Sequence, residues 1–354
     1  MTPSGSSTAP VPAPLRLRTG TPVVDRGDGE VQLGTDPRWS VVLTGLSPAE
    51  AGWLCDAAVR RHRSLNQVSR RWGVDAQRRA LLEQVLERAG YMVPAHRGEP
   101  GALVDRAADA VVLGALRPDD AGDATLAERA GRTVGLSGLG RIGALTAEHL
   151  ATAGIGTLVL DDLEPVQVVD LGIGGYERED VGRTRASALA GRLRARHPET
   201  LVLGPDDAAA PDVVVEVQAH AVDPGRYERL LGSGVAHLPV VVREADVVVG
   251  PFVVPGVSAC VGCAARHAAD LDERWPVVAR ALVGASRPAP QETTLAALAG
   301  VLAAGQVLAF VDGARPVTAG AQLEVALPEA VPRRRPVRPH PACGCTALPG
   351  PSSR

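Results

Sequence analysis

From about residue 132 onward, short apolar runs alternate with stretches whose apolar positions recur at helical spacing. Residues 133–136 and 157–160 read as strands, with a helix over about 140–153 between them. A helix is expected over 181–197. Residues 212–217 form a continuous apolar run, the pattern of a parallel strand buried on both faces. Further strands are expected at 239–242 and 247–254, then a strongly apolar helix over 295–310. This order predicts an α/β fold with a mainly parallel, Rossmann-like sheet.

The first 93 residues follow a different pattern. Val23 and Val24, a turn from Asp25 to Gly29, and Val31-Gln32-Leu33 read as a hairpin, with Val41-Val42-Leu43 as a third strand. Three helices follow. Ser47-Pro48-Ala49-Glu50 and Ser64-Leu65-Asn66-Gln67 have capping-box spacing, and Asp75 can cap a third helix through Leu81, Leu82, Val85 and Leu86. Gly73 and Gly90 are the expected stops. Residues 15–93 are thus expected to form a small winged-helix-like α+β domain. Residues 1–14, rich in Pro, Ser and Ala, are expected to be a disordered tail. Residues 94–130 read as a linker or adapter with one strand at 111–113, and 131–354 as the Rossmann domain.

Composition narrows the function classes. The hydrophobic share of 45% supports a sizeable core, and aromatics at only 3% leave Val, Leu and Ala to build it. A formal charge of -3, with no long run of one sign, disfavours nucleic acid or a membrane surface as partner. No signal segment or spanning helix is expected, which suggests the cytoplasm. The chain has no lysine, and its one asparagine is Asn66.

The turn Gly135-Leu136-Ser137-Gly138-Leu139-Gly140 joins a predicted strand to a predicted helix. Small residues there let a phosphate approach backbone N–H groups at the positive end of a helix. Asp161-Asp162 follows the next strand, about 22 residues on, where an acid can accept ribose hydroxyls. The same glycines also serve plain close packing of strand on helix, so both uses stay open.

Cys260-Val-Gly-Cys263 and Cys343-Gly-Cys345 make two close pairs. In a reducing compartment such pairs suit one tetrahedral zinc, and four protein ligands leave no open position, so the ion would be structural. His267 and His340 lie near the pairs and can replace a ligand or be ordinary surface histidines. Cys55, in the first helix, reads as a small buried apolar residue.

The run Val134-Gly-Leu-Ser-Gly-Leu-Gly-Arg-Ile-Gly, then Leu-Ala-Thr-Ala-Gly-Ile-Gly-Thr-Leu-Val-Leu-Asp-Asp-Leu-Glu-Pro-Val166, resembles the ThiF/MoeB and ubiquitin-activating superfamily over about residues 131–345. That resemblance implies ATP binding and adenylation of a peptide or protein C-terminus. Gly135, Gly138 and Gly140 match its phosphate turn, and Asp162 its ribose-binding acid. Asp170-Leu171-Gly172-Ile173 stands where the family has Asn-Leu-x-Arg, Arg185 where it has a phosphate-binding lysine, and Ala219-His220 where it has a magnesium-associated Asp-Asn. A planar guanidinium does not replace a lysine point charge, so adenylation is expected to be weak or absent and the nucleotide site vestigial.

The stretch from Cys260 to Trp275-Pro276, together with Pro332-Arg-Arg-Arg-Pro-Val-Arg-Pro-His-Pro-Ala-Cys-Gly-Cys345, is similar to the ThiF-like proteins of thiazole/oxazole-modified (TOMM, RiPP) peptide biosynthesis. This likeness implies that the first domain binds the leader of a precursor peptide and presents the core to a YcaO-type cyclodehydratase, and that the chain forms a homodimer. The leader would add as a strand to the small sheet. Val41, Leu43, Leu82 and Leu86 are candidates for its groove, though core packing is the commoner use of such residues. Arg78, with Arg60, Arg61, Arg63, Arg70, Arg71 and Arg79, can attract an acidic leader or form a solvated face. Two alternatives remain: an active ThiF-type adenylyltransferase, and a winged-helix DNA-binding regulator.

Overall fold

The computed structural model describes residues 15–59, 65–94, 106–207, 209–283 and 289–347. The chain divides into two compact units, residues 1–126 and 127–354.

In the first unit β1 (Leu15–Leu17) pairs antiparallel with β5 (Met92–Pro94), while β2 (Val23–Gly27), β3 (Glu30–Leu33) and β4 (Val41–Leu43) form an antiparallel sheet in that order. The helices are α1 (Pro48–Val59), α2 (Leu65–Trp72), α3 (Ala76–Arg88) and α4 (Ala107–Ala115). The expected hairpin and third strand are present. Ser47 and Glu50 complete a reciprocal box, with Glu50 Oε2 accepting from Ser47 N at 2.7 Å and Ser47 Oγ from Glu50 N at 3.3 Å. Asp75 accepts from the backbone of Gln77 and Arg78. Gly73 and Gly90 end α2 and α3 at φ +67° and +76°. Ser64 of the second expected box lies outside the described residues.

One expectation here is overturned. Residues 111–113 lie in α4, not in a strand. Three apolar residues in a row define no period, and the surrounding alanines favour a helix.

The second unit is built on one eight-stranded sheet. Its strands are β6 (Thr133–Ser137), β7 (Thr157–Asp161), β8 (Leu201–Leu203), β9 (Val213–Ala219), β10 (Ala236–Val242), β11 (Asp246–Val249), β12 (Ala321–Ala326) and β13 (Arg333–Pro336). The order across it is β13-β12-β11-β10-β9-β6-β7-β8. The pairs from β10 to β8 are parallel and those from β10 to β13 antiparallel. Every residue of β10 is buried, as a strand covered on both faces requires.

The boundary at Leu126 falls within α5 (Gly122–Ala130), and the helices of the second unit are α6 (Arg141–Thr152), α7 (Arg185–Arg196), α8 (Pro224–Gly232), α9 (Val261–Leu271), α10 (Trp275–Val283) and α11 (Thr293–Val311). By length and composition α11 is the one described helix able to cross a membrane. Yet Ala299, Ala303, Ala304 and Val307 on it are fully buried in the core beside α6 and the sheet. Gly300 allows that approach, since a Cβ there would stand 2.9 Å from the Leu145 side chain.

Two boundaries move furthest. The helix expected from 181 starts at Arg185, because Gly182 takes φ +90° and Thr184 is extended. The strand expected to reach 254 stops at Val249, where Gly250 turns the chain at φ +104° and Pro251 has no N–H to donate.

Candidate nucleotide pocket and cysteine centre

The parallel strands β6, β9 and β10 end at two adjoining cavities of about 590 and 550 Å³ that share Gly138, Arg185, Val217, Gln218 and Ala219. This is where a doubly wound sheet binds ligands. Gly138 takes φ +76°, and a Cβ on it would stand 2.1 Å from the Val217 carbonyl oxygen. A Cβ on Gly140 would meet Gln291 Nε2 at 2.8 Å, and one on Gly135 the Val214 side chain at 3.2 Å. The chain's own packing therefore needs glycine at 138, whatever it binds, while at 135 and 140 a larger residue would have to displace only side chains.

The polar groups around the turn engage one another. Leu139 N donates to Asp162 Oδ2 at 2.7 Å, and Glu164 N to Asp162 Oδ1 at 3.0 Å. At the start of α6, Ile142 N donates to Gln291 Oε1 at 2.9 Å, while Arg141 Nη1 donates to the Gln291 carbonyl. Arg185, the first residue of α7, spans two acids. Its Nη2 and Nε donate to Asp170 at 2.9 and 3.0 Å, and its Nη1 reaches Asp162 Oδ2 at 3.4 Å. Burial opposes the charge on Arg185, but Asp170 and then Asp162 outweigh it and hold the guanidinium above its ordinary value. Asp170 closes a short 3-10 turn over Val168–Asp170, where its Oδ2 also accepts from Gln167 N.

Three residues here escaped sequence reasoning. Tyr176 is buried and donates to the Leu139 carbonyl at 2.6 Å, fixing the turn from beneath, and burial drives its hydroxyl pKa well above the ordinary value. Gln291 reaches the turn from about 150 residues away in sequence. Glu216 sits inside the apolar strand β9, where burial raises its carboxyl pKa and Arg226 at 3.8 Å opposes the rise. The described cavity lining carries seven acids (Asp161, Asp162, Glu164, Asp170, Asp223, Glu244, Glu292) against Arg141, Arg185 and Arg226. An acidic surplus of that size repels a polyphosphate.

The second candidate centre lies at α9. The sulfur atoms of Cys260, Cys263, Cys343 and Cys345 all fall within 4.8 Å of one another. Cys260 to Cys343 is 3.6 Å, Cys263 to Cys345 is 3.4 Å and Cys260 to Cys263 is 3.9 Å. A tetrahedral ion with ~2.3 Å bonds to sulfur needs edges of about 3.8 Å, so the four thiols can hold a metal ion with little movement. A Cβ on Gly262 would press within 3.4 and 3.7 Å of the Cys260 and Cys343 sulfurs. Cys260 caps α9 and Cys263 lies in its first turn, where the helix dipole favours thiolate. Burial acts the other way, pushing Cys260 up and Cys345 to about 11. A cation resolves that conflict. Cys55 is only half-buried, and burial raises its thiol too.

The ThiF family model matches residues 119–223. The chain carries a ThiF family domain. It is 36% identical over 80 residues to the tRNA threonylcarbamoyladenosine dehydratase of Escherichia coli (strain K12), a match over 22% of this chain that spans 30% of the length of that relative. Among solved structures, E. coli MccB crystallised with ATP covers 94% of this chain and 99% of its own at TM-score 0.68 and 15% identity. The Microcin C7 biosynthetic enzyme MccB in complex with N-formylated MccA gives the same coverage at TM-score 0.70 and 14% identity. PaaA covers 90% of this chain and 98% of its own at TM-score 0.67 and 15% identity. At these identities the structures establish the α/β fold.

Within the ThiF domain, the structure brings Gly138, Gly140, Asp162, Asp170 and Arg185 to the two adjoining cavities, while Gly135 lies within β6 and lines neither. Ile173 is 71% exposed and offers no charge. His220 follows Ala219 at φ +64°, a left-handed position that Asn, Asp and His tolerate best. His267 and His340 do not join the thiols; they form a separate group with Asp270.

In the first unit the groove candidates need correction. Leu43, Leu82 and Leu86 are 8, 5 and 0% exposed, so they are core residues that a bound peptide cannot touch. Val41 packs against the same core. On α3 the exposed apolar residues are Leu81 and Val85, at helical spacing with Arg78. Arg78 pairs with Glu50 at 2.7 Å and donates to the Gly45 carbonyl, so its charge is largely spent. Arg60, Arg61 and Arg63 lie outside the described residues.

Proposed function

We propose that this chain binds the leader of a ribosomally made precursor peptide and presents the core to a separate YcaO-type cyclodehydratase for azoline and azole formation. The observation that carries this reading is Arg185 held by Asp170 and Asp162: the groups that would engage a nucleotide engage each other. Gln291 on the α6 N-terminus and the acidic lining add to it. These residues do not fit a triphosphate. What is left is a docking role. Among the described residues β4 is paired on one side only, and Leu81 and Val85 are exposed on α3. A leader strand added to β4 would gain main-chain hydrogen bonds and an apolar contact. The Microcin C7 biosynthetic enzyme MccB, which shares the fold, is solved in complex with N-formylated MccA.

Cys260, Cys263, Cys343 and Cys345 would hold zinc, which ties the chain's late segment to α9 and supplies no chemistry beyond that bond set. A cytoplasmic homodimer without nucleic-acid or membrane partners completes the reading. The test is a fluorescence-anisotropy titration of the full chain with the precursor encoded beside its gene, followed by ring formation with the YcaO partner. Saturable leader binding, and loss of water from the core only when this chain is present, is the expected result. No binding to that leader overturns it.

The ATP in an MccB structure favours a second reading, an active adenylyltransferase. ATP–pyrophosphate exchange dependent on the peptide would establish it, and none is expected.

A further inference from the structure

His267, Asp270 and His340 sit beside the four thiols without belonging to them. Cys263, His267 and Asp270 share one face of α9, while Arg338, His340, Cys343 and Cys345 belong to the chain's late segment. His340 Nε2 lies 2.9 Å from Asp270 Oδ2. His267 Nε2 lies 3.0 Å from the Arg338 carbonyl oxygen, and its ring meets that of His340 edge-on at 4.9 Å. The two segments that share the thiols are therefore joined a second time, about two turns further along α9.

The ligating atoms of this trio lie as close together as metal ligands would. The proton inventory decides against that use. Ala342 N donates to His340 Nδ1 at 3.1 Å, so Nδ1 carries the lone pair and Nε2 carries the proton. A metal on Nε2 would require an imidazolate or loss of the Ala342 bond. His267 Nε2 likewise keeps its proton, for the Arg338 carbonyl. Of the four ring nitrogens only His267 Nδ1 keeps an unused lone pair, 3.9 Å from Asp270 Oδ2, and the other three are already paired.

We propose that His340, Asp270 and His267 are positioning residues that hold the Cys343-Gly344-Cys345 turn against α9, so that the four thiols are assembled before metal arrives and release it slowly. The turn itself is set from the same side: Cys343 N donates to the His340 carbonyl, and Ala342 N to the His340 ring. The inference rests on the metal reading of the cysteines. Outer partners of this kind typically change metal affinity by about 10–100-fold.

The experiment uses the full chain loaded with zinc, and follows transfer to a chromogenic chelator together with the zinc equivalents held. Wild type should hold one zinc per chain. His340→Ala and Asp270→Ala should still take up one equivalent but lose it about 10–100-fold faster. Asp270→Asn keeps an acceptor for His340 Nε2 and should release zinc close to the wild-type rate. Unchanged release in both alanine variants overturns the latch while leaving the thiol centre standing. A second zinc equivalent in wild type that disappears in Asp270→Asn overturns it in favour of a second metal site. A chain that takes up no zinc overturns both readings.

Discussion

Arg185 meets Asp170 through two nitrogens, Nη2 at 2.9 Å and Nε at 3.0 Å, inside the cavity at the carboxyl ends of the parallel strands. Both side chains are mostly buried, 15% and 8% exposed. Removing one partner of such a pair leaves the other charge without compensation, at about 3–5 kcal/mol. Arg185→Ala should therefore lower stability by about that amount in urea unfolding. The double change Asp170→Asn with Arg185→Lys should be milder, because it loosens the cation from one of its two acids, leaves it facing Asp162, and strands no carboxylate at 170. Isothermal titration with ATP should show no binding by the wild-type chain and measurable binding by the double variant. Equal binding by both would show that the pair does not close the site.

His237 gives the second unit a pH dependence. It is fully buried in β10, its Nδ1 lies 2.9 Å from the Val235 carbonyl, and its Nε2 has no partner among the described residues. Burial holds the imidazole neutral and lowers its pKa to about 4. Between that value and the ordinary 6.5 the unfolded chain binds the proton and the folded one does not. Stability should thus be fully present above pH about 6.5 and fall by up to about 3 kcal/mol as the pH drops to about 4. His237→Asn, with a donor near Nδ1, should lose less between pH 7 and pH 5 in paired urea titrations. An unchanged slope would place the titration elsewhere.

Much of this was legible because the relevant signals are local. The glycine turn, the acid at the end of β7 and the two cysteine pairs each lie within a few neighbouring residues, and the strand–helix alternation announces the sheet. The pocket's closure was not legible. Arg185 and Asp170 are 15 residues apart, and Gln291 reaches Ile142 across 149. Either side chain alone reads as a substitution in a motif; only the fold shows that they satisfy each other. The α3 groove failed for a related reason. Leu81, Leu82, Val85 and Leu86 are chemically alike, and period alone does not say which adjacent pair faces the core. Glu216 gave no signal beyond a charge inside an apolar run.

Metal removal tests the cysteine centre directly. Cys263 is fully buried among Cys260, Cys343 and Cys345. Cys263→Ser should abolish retention of zinc through gel filtration, since a buried serine hydroxyl is a poor replacement for thiolate. Chelator treatment of the wild type should free the late segment, read as new protease cleavage after residue 330 and a lower midpoint in thermal unfolding. The parallel strands should keep their circular dichroism, because their core cluster does not include the cysteines. A chain whose unfolding is indifferent to metal would leave the thiols as buried free cysteines.

The leader groove is tested by neighbouring residues on one helix. Leu81 and Val85 are 49 and 38% exposed on α3, while Leu82 and Leu86 are 5 and 0% exposed. Leu81→Asp or Val85→Asp should leave the unfolding midpoint nearly unchanged, because little apolar surface is withdrawn from the core. The same changes should weaken leader binding at least about tenfold, the equivalent of ~1.4 kcal/mol, by placing a charge on the contact surface. Leu82→Ala and Leu86→Ala should do the reverse, lowering the stability of the first unit by about 2–5 kcal/mol through lost burial and cavity formation. Their leader affinity should stay near that of the wild type while the unit is folded. The comparison requires anisotropy titration and urea unfolding on all four variants. If the exposed-face variants bind the leader as tightly as the wild type, α3 is not part of the docking surface, and the strand must add elsewhere.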